Sequence, residues 1–207
     1  MVATQKKPAI KPADRAETTQ ARICAAVVDC IDQRGYAETS ISHIQARAGV
    51  SRGALTHHFP SKQALVAEAA LRMLSAAAAP MQAWQSAPDP YDMFVSGWNR
   101  TLNTSEGRAF AEILTACRTD DALRHALSDG LLKWESENAN VITTFFTGSS
   151  PEDDDAVLIW SIYRSFIRGL LSHERFVTDP DYLDRMVRRF AEIVKPHLSP
   201  RLKDHDQ

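Results

Sequence analysis

The sequence predicts an all-α protein of about nine helices, with an N-terminal three-helix domain followed by a larger helical domain. Apolar residues recur at helical spacing from residue 18 almost to the end of the 207-residue chain. No stretch of four or more residues alternates between apolar and polar, so no sheet is expected. Glycine, proline and helix-capping residues divide the pattern into segments of helical length. These observations predict helices packed on helices.

The composition is that of an ordinary globular protein, with 44% hydrophobic and 24% charged residues. No window holds the roughly 18 uninterrupted apolar residues of a membrane span, and residues 1–14 lack the apolar core of a signal peptide. We therefore expect a cytoplasmic protein without a membrane partner. The three cysteines, Cys24, Cys30 and Cys117, have no CxxC spacing, which argues against disulfides and structural zinc and predicts buried thiols.

The charge is unevenly distributed along the chain. Residues 1–62 carry nine Lys and Arg against five acids, whereas the remainder carries 15 basic and 21 acidic residues. The total of −2 therefore hides a basic first third and an acidic remainder. This division indicates a polyanion-binding module joined to a part with another task.

The first helix is predicted from Thr18 to Arg34, where the apolar positions form one helix face and Gly35 provides the stop. Thr39 or Ser40 can cap a short second helix, which ends at Gly49 because a positive φ costs glycine nothing.

The third helix is predicted from Arg52 to about His58, with Ser51 as its N-cap. Phe59 and Pro60 interrupt the chain before Ser61 caps a long fourth helix that starts at Lys62. Three helices thus precede residue 62.

The rest of the chain keeps helical periodicity, interrupted at four breaks. These breaks are expected at Pro80, residues 87–90, residues 105–107 and residues 147–151. Two further helices close the chain, over residues 153–172 and 179–197.

Residues 39–59 have the pattern of a helix-turn-helix. Ile44, Val50 and Leu55 supply a small core that locks the two helices, while Gly49 makes the turn. A helix of this width fits the major groove, and its capped N-terminus offers backbone donors to phosphate. The residues left outward on the third helix are Arg52, Gly53, Ala54, Thr56 and His57.

Residues 18–65 resemble the N-terminal motif of the tetracycline-repressor (TetR) family of bacterial transcription regulators. The resemblance is carried, in order, by Gly35-Tyr36, Thr39-Ser40, Ile44, Ala48-Gly49-Val50-Ser51, Gly53, Leu55, His58-Phe59 and Ser61-Lys62. Two positions depart from the family pattern. Gln45 stands where the family usually has Ala at a close helix crossing, and Thr56 replaces a Tyr that commonly reaches the DNA backbone.

The resemblance implies which residues contact DNA. Arg52, Gly53, Ala54, Thr56 and His57 would face the groove, and Thr39, Ser51 and Lys62 would bind phosphate. The basic leader adds candidate backbone contacts through Lys6, Lys7, Lys11 and Arg15. The implied domains are a flexible leader (1–14), a DNA-binding domain (15–62), a ligand-binding and dimerisation domain (63–200) and a tail (201–207).

Metal binding and catalysis find no positive support. His57 and His58 are adjacent on a helix and point about 100° apart, so they cannot share an ion. No GxSxG, P-loop or GxGxxG motif occurs. We expect no cofactor, no metal and no enzymatic activity.

The family resemblance also implies a small-molecule pocket among the middle helices. Asn138 sets an amide on an otherwise apolar helix face, and such a group needs a partner in the backbone, water or a ligand. A largely apolar ligand with few polar contacts is expected. The candidate ligand contacts are Trp98, Phe110, Cys117, Trp134 and Asn138.

By the same resemblance the last two helices should pair with their mates in a homodimer that reads a palindromic operator. The candidate interface residues are Trp160, Tyr163, Ile167, Leu171, Met186, Val187 and Phe190. The function expected is a repressor released from its operator by a small molecule. Two alternatives remain open: an all-helical carrier or enzyme with a structural N-terminal domain, and a sequence-indifferent architectural DNA binder.

Overall fold

The computed structural model describes residues 12–150 and 154–201, with side chains from residue 17 onward. Nine α-helices occur in these ranges, as the sequence predicted. They are α1 (Pro12–Glu38), α2 (Ile41–Ala48), α3 (Arg52–His58), α4 (Lys62–Gln82), α5 (Pro90–Gly97), α6 (Ser105–Ala116), α7 (Asp121–Phe145), α8 (Asp155–His173) and α9 (Tyr182–Val194). A π-helical turn (Trp98–Leu102) follows α5, and 3₁₀ turns follow α8 (Glu174–Phe176) and α9 (Lys195–His197).

The expectation of no sheet was wrong. Strands β1 (Phe146–Gly148) and β2 (Leu198–Pro200) pair antiparallel, with Phe146 opposite Pro200. Each strand has three residues, too few to show an alternation in the sequence. The pair ties the end of the chain beyond α9 to the end of α7.

Glycine acts at the two predicted helix ends. Gly35 has a φ of +79°, which separates the helix proper from one last helical turn inside α1. Gly49 closes α2 in the left-handed conformation, with φ +62° and ψ +40°. Both positions favour a residue without a Cβ.

Two expected breaks lie elsewhere. Pro80 falls in the last turn of α4 rather than ending it, because that helix continues to Gln82. Residues 105–107 open α6 instead of interrupting the chain, since Thr104 accepts a hydrogen bond from the Gly107 amide at 3.1 Å and caps the helix. In the closing helices, α8 runs to His173 and α9 spans only Tyr182–Val194.

Gly107 is pressed against the π-helical turn. A Cβ added there would stand 2.0 Å from the Leu102 carbonyl oxygen. No side chain fits at this contact, so the turn and the start of α6 meet through their backbones.

The core consists of two clusters. The first joins α1, α2 and α3 to α4, α6 and the start of α7, and the second lies among α5, α8, α9 and the end of α7. Helix α4 is long and apolar enough to cross a membrane by length and composition alone. It packs against α1, α6 and α7, and 44% of its most apolar window is buried inside the fold.

Candidate nucleic-acid interface and internal cavity

The helix-turn-helix forms from local capping. The Ser40 hydroxyl accepts a hydrogen bond from the His43 amide at 3.2 Å, so Ser40 rather than Thr39 caps α2. Ser51 caps α3 by accepting from the Ala54 amide at 3.2 Å, and Ser61 caps α4 by accepting from the Ala64 amide at 3.0 Å. These caps confirm the predicted starts of α3 and α4.

The predicted core of the motif is confirmed for two of three residues. Ile44 and Leu55 are fully buried between the helices, whereas Val50 is half-buried at the edge of the same cluster. Arg22 adds a bond that the sequence did not reveal, since its Nη2 donates to the Ala48 carbonyl at 2.7 Å. The angle between α2 and α3 is therefore set by packing and by one contact from α1.

The outward face of α3 matches the prediction closely. Arg52, Gly53, Thr56 and His57 are exposed, and Ala54 is half-buried. A Cβ added at Gly53 would meet nothing within 4 Å. The surface is therefore narrow and open, with one cation at its N-terminal end.

The Thr56 hydroxyl donates to the Arg52 carbonyl at 3.0 Å. Its proton is thus used within α3, while its oxygen stays on the exposed face as an acceptor.

Two predicted phosphate contacts are placed differently. Thr39 is only 1% exposed, and its hydroxyl donates to the Gly35 carbonyl at 2.7 Å, so this expectation is corrected: the side chain closes the turn after Gly35 instead of facing solvent. Lys62 is half-buried, with its Nζ 2.7 Å from the Tyr36 carbonyl oxygen and 3.9 Å from the centre of the Tyr36 ring. Burial lowers the pKa of Lys62, which Asp120 and Glu38 partly oppose.

The basic leader cannot be placed. Lys6, Lys7 and Lys11 lie outside the described residues, and of Arg15 only the backbone is described, within α1.

A cavity of two neighbouring lobes, which share lining residues, lies among the middle helices. The first lobe has a volume of about 430 Å³ and reaches from α4 to α6 and α7. The second has a volume of about 360 Å³ and extends towards α5 and α8. The residues shared by both lobes include Ala77, Pro80, Arg100, Leu102, Trp134 and Arg164.

The cavity contains three of the five predicted ligand contacts. Phe110 lines the first lobe, Asn138 the second, and Trp134 both. The other two expectations are corrected. Trp98 is buried beside the cavity and its indole donates to Asp184 at 2.6 Å, while Cys117 packs against the N-terminal core cluster.

The buried amide of Asn138 has a partner in its own helix. Its Nδ2 donates to the Trp134 carbonyl at 2.7 Å.

Burial raises the pKa of the Cys117 thiol, and it raises the pKa of the Cys24 thiol to about 11, so both thiols are protonated at neutral pH.

Three arginines that the sequence interpretation missed also line the cavity. Arg100 lies on the π-helical turn, and Arg164 and Arg168 lie on α8. The sequence did offer a signal for Arg164, which is a cation four residues after Trp160 on a helix with many apolar residues.

Polar contacts join α1 to the helices that line the cavity. Arg108 on α6 binds Asp32 on α1 through Nε and Nη2, and Glu112 accepts a hydrogen bond from the Tyr36 amide at 3.0 Å. The Tyr36 hydroxyl donates to Asp120, and this bond lowers the pKa of Asp120. Helix α6 thus contacts the cavity on one side and the DNA-binding helices on the other.

The predicted dimer residues lie on the right helices but partly on the wrong faces. Tyr163, Ile167 and Val187 are fully buried and Leu171 nearly so, all in the core of one chain, so they are corrected as interface candidates. Packing against α5 explains the inversion, because the Tyr163 hydroxyl donates to the Phe94 carbonyl at 2.7 Å. Trp160, Met186 and Phe190 are half-buried.

The solvent-facing apolar residues of these helices are different ones. Leu158, Ile162, Tyr182 and Ile193 are 45%, 58%, 47% and 55% exposed, and we call them the α8–α9 apolar face. Gly169 lies further along the exposed side of α8, with nothing within 4 Å of a Cβ added there.

Within the ranges that the structure describes, no three His, Cys, Asp or Glu side chains converge in a way that could hold a metal ion.

Comparison with known proteins points to one family. The family model described as bacterial regulatory proteins, tetR family, matches residues 23–69. The HTH-type transcriptional regulator CymR of Pseudomonas putida is 24% identical over 192 residues, which cover 88% of this chain and 92% of that protein. The HTH-type transcriptional regulator BetI of Ectopseudomonas mendocina is 40% identical over 55 residues, which cover 27% of this chain and 28% of that protein.

Solved structures share the fold over nearly the whole chain. A TetR-family regulator from Agrobacterium tumefaciens has a TM-score of 0.65 at 15% identity, covering 86% of this chain and 98% of that one. A putative regulator from Saccharomonospora viridis in complex with choline has a TM-score of 0.63 at 20% identity, covering 90% and 100%. The helix-turn-helix geometry, the matched motif and the shared fold agree: residues 23–69 carry the motif of the tetR family of bacterial regulatory proteins, and the chain as a whole is similar to TetR-family transcriptional regulators.

Proposed function

We propose that the protein is a homodimeric repressor that a small molecule releases from a palindromic operator. The observation that carries this proposal is the sharing of α4 and α6 between the cavity and the DNA-binding unit. Met73, Leu74 and Ala77 of α4 line the cavity, while the start of the same helix holds Lys62 against Tyr36. A ligand that fills the cavity would therefore shift a helix that begins at the DNA-binding unit.

For DNA recognition, α3 would enter the major groove with Gly53, Ala54, Thr56 and His57 towards the bases. The exposed Arg52 and the capped N-terminus of α3 at Ser51 would meet phosphate. Lys62 would reach phosphate only by leaving the Tyr36 carbonyl, so we assign it first to positioning α4.

For assembly, the α8–α9 apolar face would pack against its copy across a two-fold axis. Exposed large apolar residues at helical spacing mark interaction sites, and the open space above Gly169 permits close helix approach. The two helix-turn-helix motifs of such a dimer would bind DNA half-sites about one or more helical turns apart.

For regulation, the ligand would favour a state in which the spacing of the two helix-turn-helix motifs no longer matches the spacing of the half-sites. The ligand can shift this equilibrium only by its difference in affinity for the two states. The contacts of Arg108 with Asp32 and of Glu112 with Tyr36 would carry the shift from α6 to α1.

The test is selection of genomic DNA fragments bound by the protein, followed by a compound screen for release. A regulator yields a few sites with a large ratio of specific to non-specific affinity, whereas an architectural binder yields no preferred site. A carrier or enzyme with a structural N-terminal domain retains no fragments. Either of the last two results would overturn the proposal.

A further inference from the structure

The polar groups that line the cavity are unusual in one respect: two donors are buried without acceptors. Among the described residues, the Nε of Arg164 and the indole Nε1 of Trp160 are buried side-chain nitrogens with no hydrogen-bond partner. Buried donors are nearly always satisfied, and an exception calls for an explanation. Both residues line the second lobe, and they lie one turn apart on α8.

The remaining contacts of Arg164 leave its Nε without an acceptor. Glu135 approaches Nη1 at 3.6 Å, and the Ser161 hydroxyl lies 3.4 Å from Nη2, near the limit for a hydrogen bond. The guanidinium also lies over the Trp134 ring, 5.3 Å from its centre. The edge formed by Nε and Nη2 is the one that a carboxylate binds with two parallel hydrogen bonds.

Around the cavity, two of the arginines are more deeply buried than the carboxylates. Arg164 and Arg168 are half-buried, and burial lowers the pKa of Arg164, which marks a cation that the protein solvates poorly. The three carboxylates that line the two lobes are all exposed; they are Asp92, Glu106 and Glu135. The interior is therefore positive and largely apolar, with residues such as Phe110, Leu131 and Pro80 in the wall.

We propose that the cavity binds a compound with an apolar body and one carboxylate, which Arg164 holds through Nε and Nη2 while the Trp160 indole donates to the same group. The apolar body lies between α4, α6 and α7, and Arg100 and Arg168 add positive charge at the two sides. Such a ligand supplies acceptors to the two donors that the protein leaves unpaired. This inference rests on the proposed function and deepens it by naming the class of effector.

A cationic ligand fits the same wall less well. A quaternary ammonium needs free aromatic faces, and the guanidinium of Arg164 already lies over the Trp134 ring. A neutral apolar compound would fill the volume but would leave both donors unsatisfied.

The test compares matched acid and amide probes by calorimetry on the full-length protein. The probes are 2-naphthoate and 2-naphthamide, decanoate and decanamide, with choline as the cationic probe. We expect each acid to bind about tenfold or more tightly than its amide, because only the acid forms the charged pair with Arg164. Equal affinities, tighter binding of choline, or no binding of either acid would overturn the proposal.

Variants locate the contact. Arg164→Met should bring the affinity for each acid to within about threefold of that for its amide, and Trp160→Phe should weaken acid binding by a smaller factor. Arg124→Met is the matched control, because Arg124 pairs with Asp121 within α7 and does not line the cavity. If Arg164→Met keeps the preference for acids, or Arg124→Met loses it, Arg164 is not the binding group.

The apo protein provides a control for folding. Arg164→Met removes a poorly solvated cation, so we expect its melting temperature without ligand to equal or exceed that of the wild type. A lower melting temperature would show that the guanidinium is satisfied within the protein, which contradicts the proposal.

The DNA assay separates this proposal from the proposed function. If the acids bind as expected but leave the selected fragments bound, the assignment of ligand class stands and ligand-induced release fails. If the amides or choline release the DNA and the acids do not, release stands and the carboxylate proposal fails.

Discussion

The guanidinium of Arg108 binds the carboxylate of Asp32 through two nitrogens, Nε at 2.7 Å and Nη2 at 3.2 Å. The pair joins α6 to α1, and a third charge, Glu174, approaches Arg108 at 3.7 Å. The two side chains are only 30% and 16% exposed, so this link is better protected from solvent than a surface ion pair.

Breaking this link should uncouple the cavity from the DNA-binding helices. Asp32→Asn should cost about 1–2 kcal/mol of unfolding free energy, between the values for exposed and buried pairs. Burial has the largest single effect and would raise the pKa of Asp32, but the hydrogen bonds from Arg108 and Ser105 and the charges of Arg108 and Arg175 together outweigh it, so the net pKa is lowered.

The pH dependence of this stabilisation follows from that sign. The contribution is fully present above the unfolded pKa of about 3.9 and is lost as the pH falls through the lowered folded-state value. Urea unfolding between pH 3 and pH 7 should show that Asp32→Asn costs less at the acid end. A constant difference across the range would contradict this assignment.

The two glycines of the helix-turn-helix should respond in opposite ways to the same methyl group. Gly49→Ala should destabilise the protein by about 1–2 kcal/mol, because residue 49 is left-handed at φ +62°. Gly53→Ala should stabilise α3 by about 0.5–1 kcal/mol, since the added Cβ meets nothing within 4 Å.

Among the folded proteins, the more stable variant, Gly53→Ala, should bind DNA more weakly than Gly49→Ala. The methyl group of Gly53→Ala lies on the face assigned to the bases and should weaken operator binding, while Gly49→Ala at low temperature should bind nearly as the wild type does. Thermal unfolding and fluorescence anisotropy on the same samples measure both effects. Unimpaired DNA binding by Gly53→Ala would remove α3 from the groove.

The exposed cation of α3 should act through phosphate. Arg52→Ala should weaken binding to all sequences alike and reduce the slope of log K against log salt by about 0.9 per half-site. Thr56→Ala and His57→Ala should instead change sequence preference. Lys133→Ala is the control, because Lys133 is exposed on α7 and pairs only loosely with Glu137, at 3.8 Å. An unchanged salt slope for Arg52→Ala would exclude the phosphate contact.

Dimerisation should depend on the α8–α9 apolar face. Sedimentation at micromolar concentration should give about twice the 23.0 kDa chain mass for the wild type. Ile162→Arg should shift the protein towards the monomer, because it places a charge among apolar residues that the dimer would bury. Leu132→Arg is a matched control, since Leu132 is 64% exposed and lies on α7, outside the two helices that carry that face. Equal masses for the two variants would place the interface elsewhere.

The structure bears on whether the Asn138 amide contacts the ligand or is bonded within the protein. Because its Nδ2 already donates to the Trp134 carbonyl, Asn138→Leu should change affinity for an acid probe less than about threefold. Its melting temperature should stay within a few degrees of the wild type. Thermal unfolding and calorimetry on this one variant decide whether the amide is a ligand contact, and a tenfold loss of affinity with normal stability would show that it is.

The features predicted correctly from sequence are those that local chemistry determines. Gly49, Ser51 and Ser61 were recognisable because a left-handed turn or a free helix N-terminus selects a residue type within a few positions. The three-residue strands were not, since their pairing joins segments about fifty residues apart.

Tertiary contacts account for the remaining errors. Tyr163 and Val187 lie on helices with more than one apolar face, and the elements packed against those helices, α5, α7 and β1 among them, decide which face is buried. Arg164 likewise reads as a surface cation in the sequence, and its enclosure arises from α7 and α8 together.

The backbone contact between Gly107 and the Leu102 carbonyl bears on how the protein could be altered as a biosensor, both in which compound it recognises and in how it responds. Because no side chain fits between the π-helical turn and α6, this part of the cavity wall and α6 have little room to slide against each other. Substitutions at Arg164 or Phe110 would then retune which compound is recognised while the route to α1 stays intact. Any residue larger than glycine at position 107 would push the π-helical turn and α6 apart, and because both line the first lobe, this would change the cavity wall and the route to α1 together.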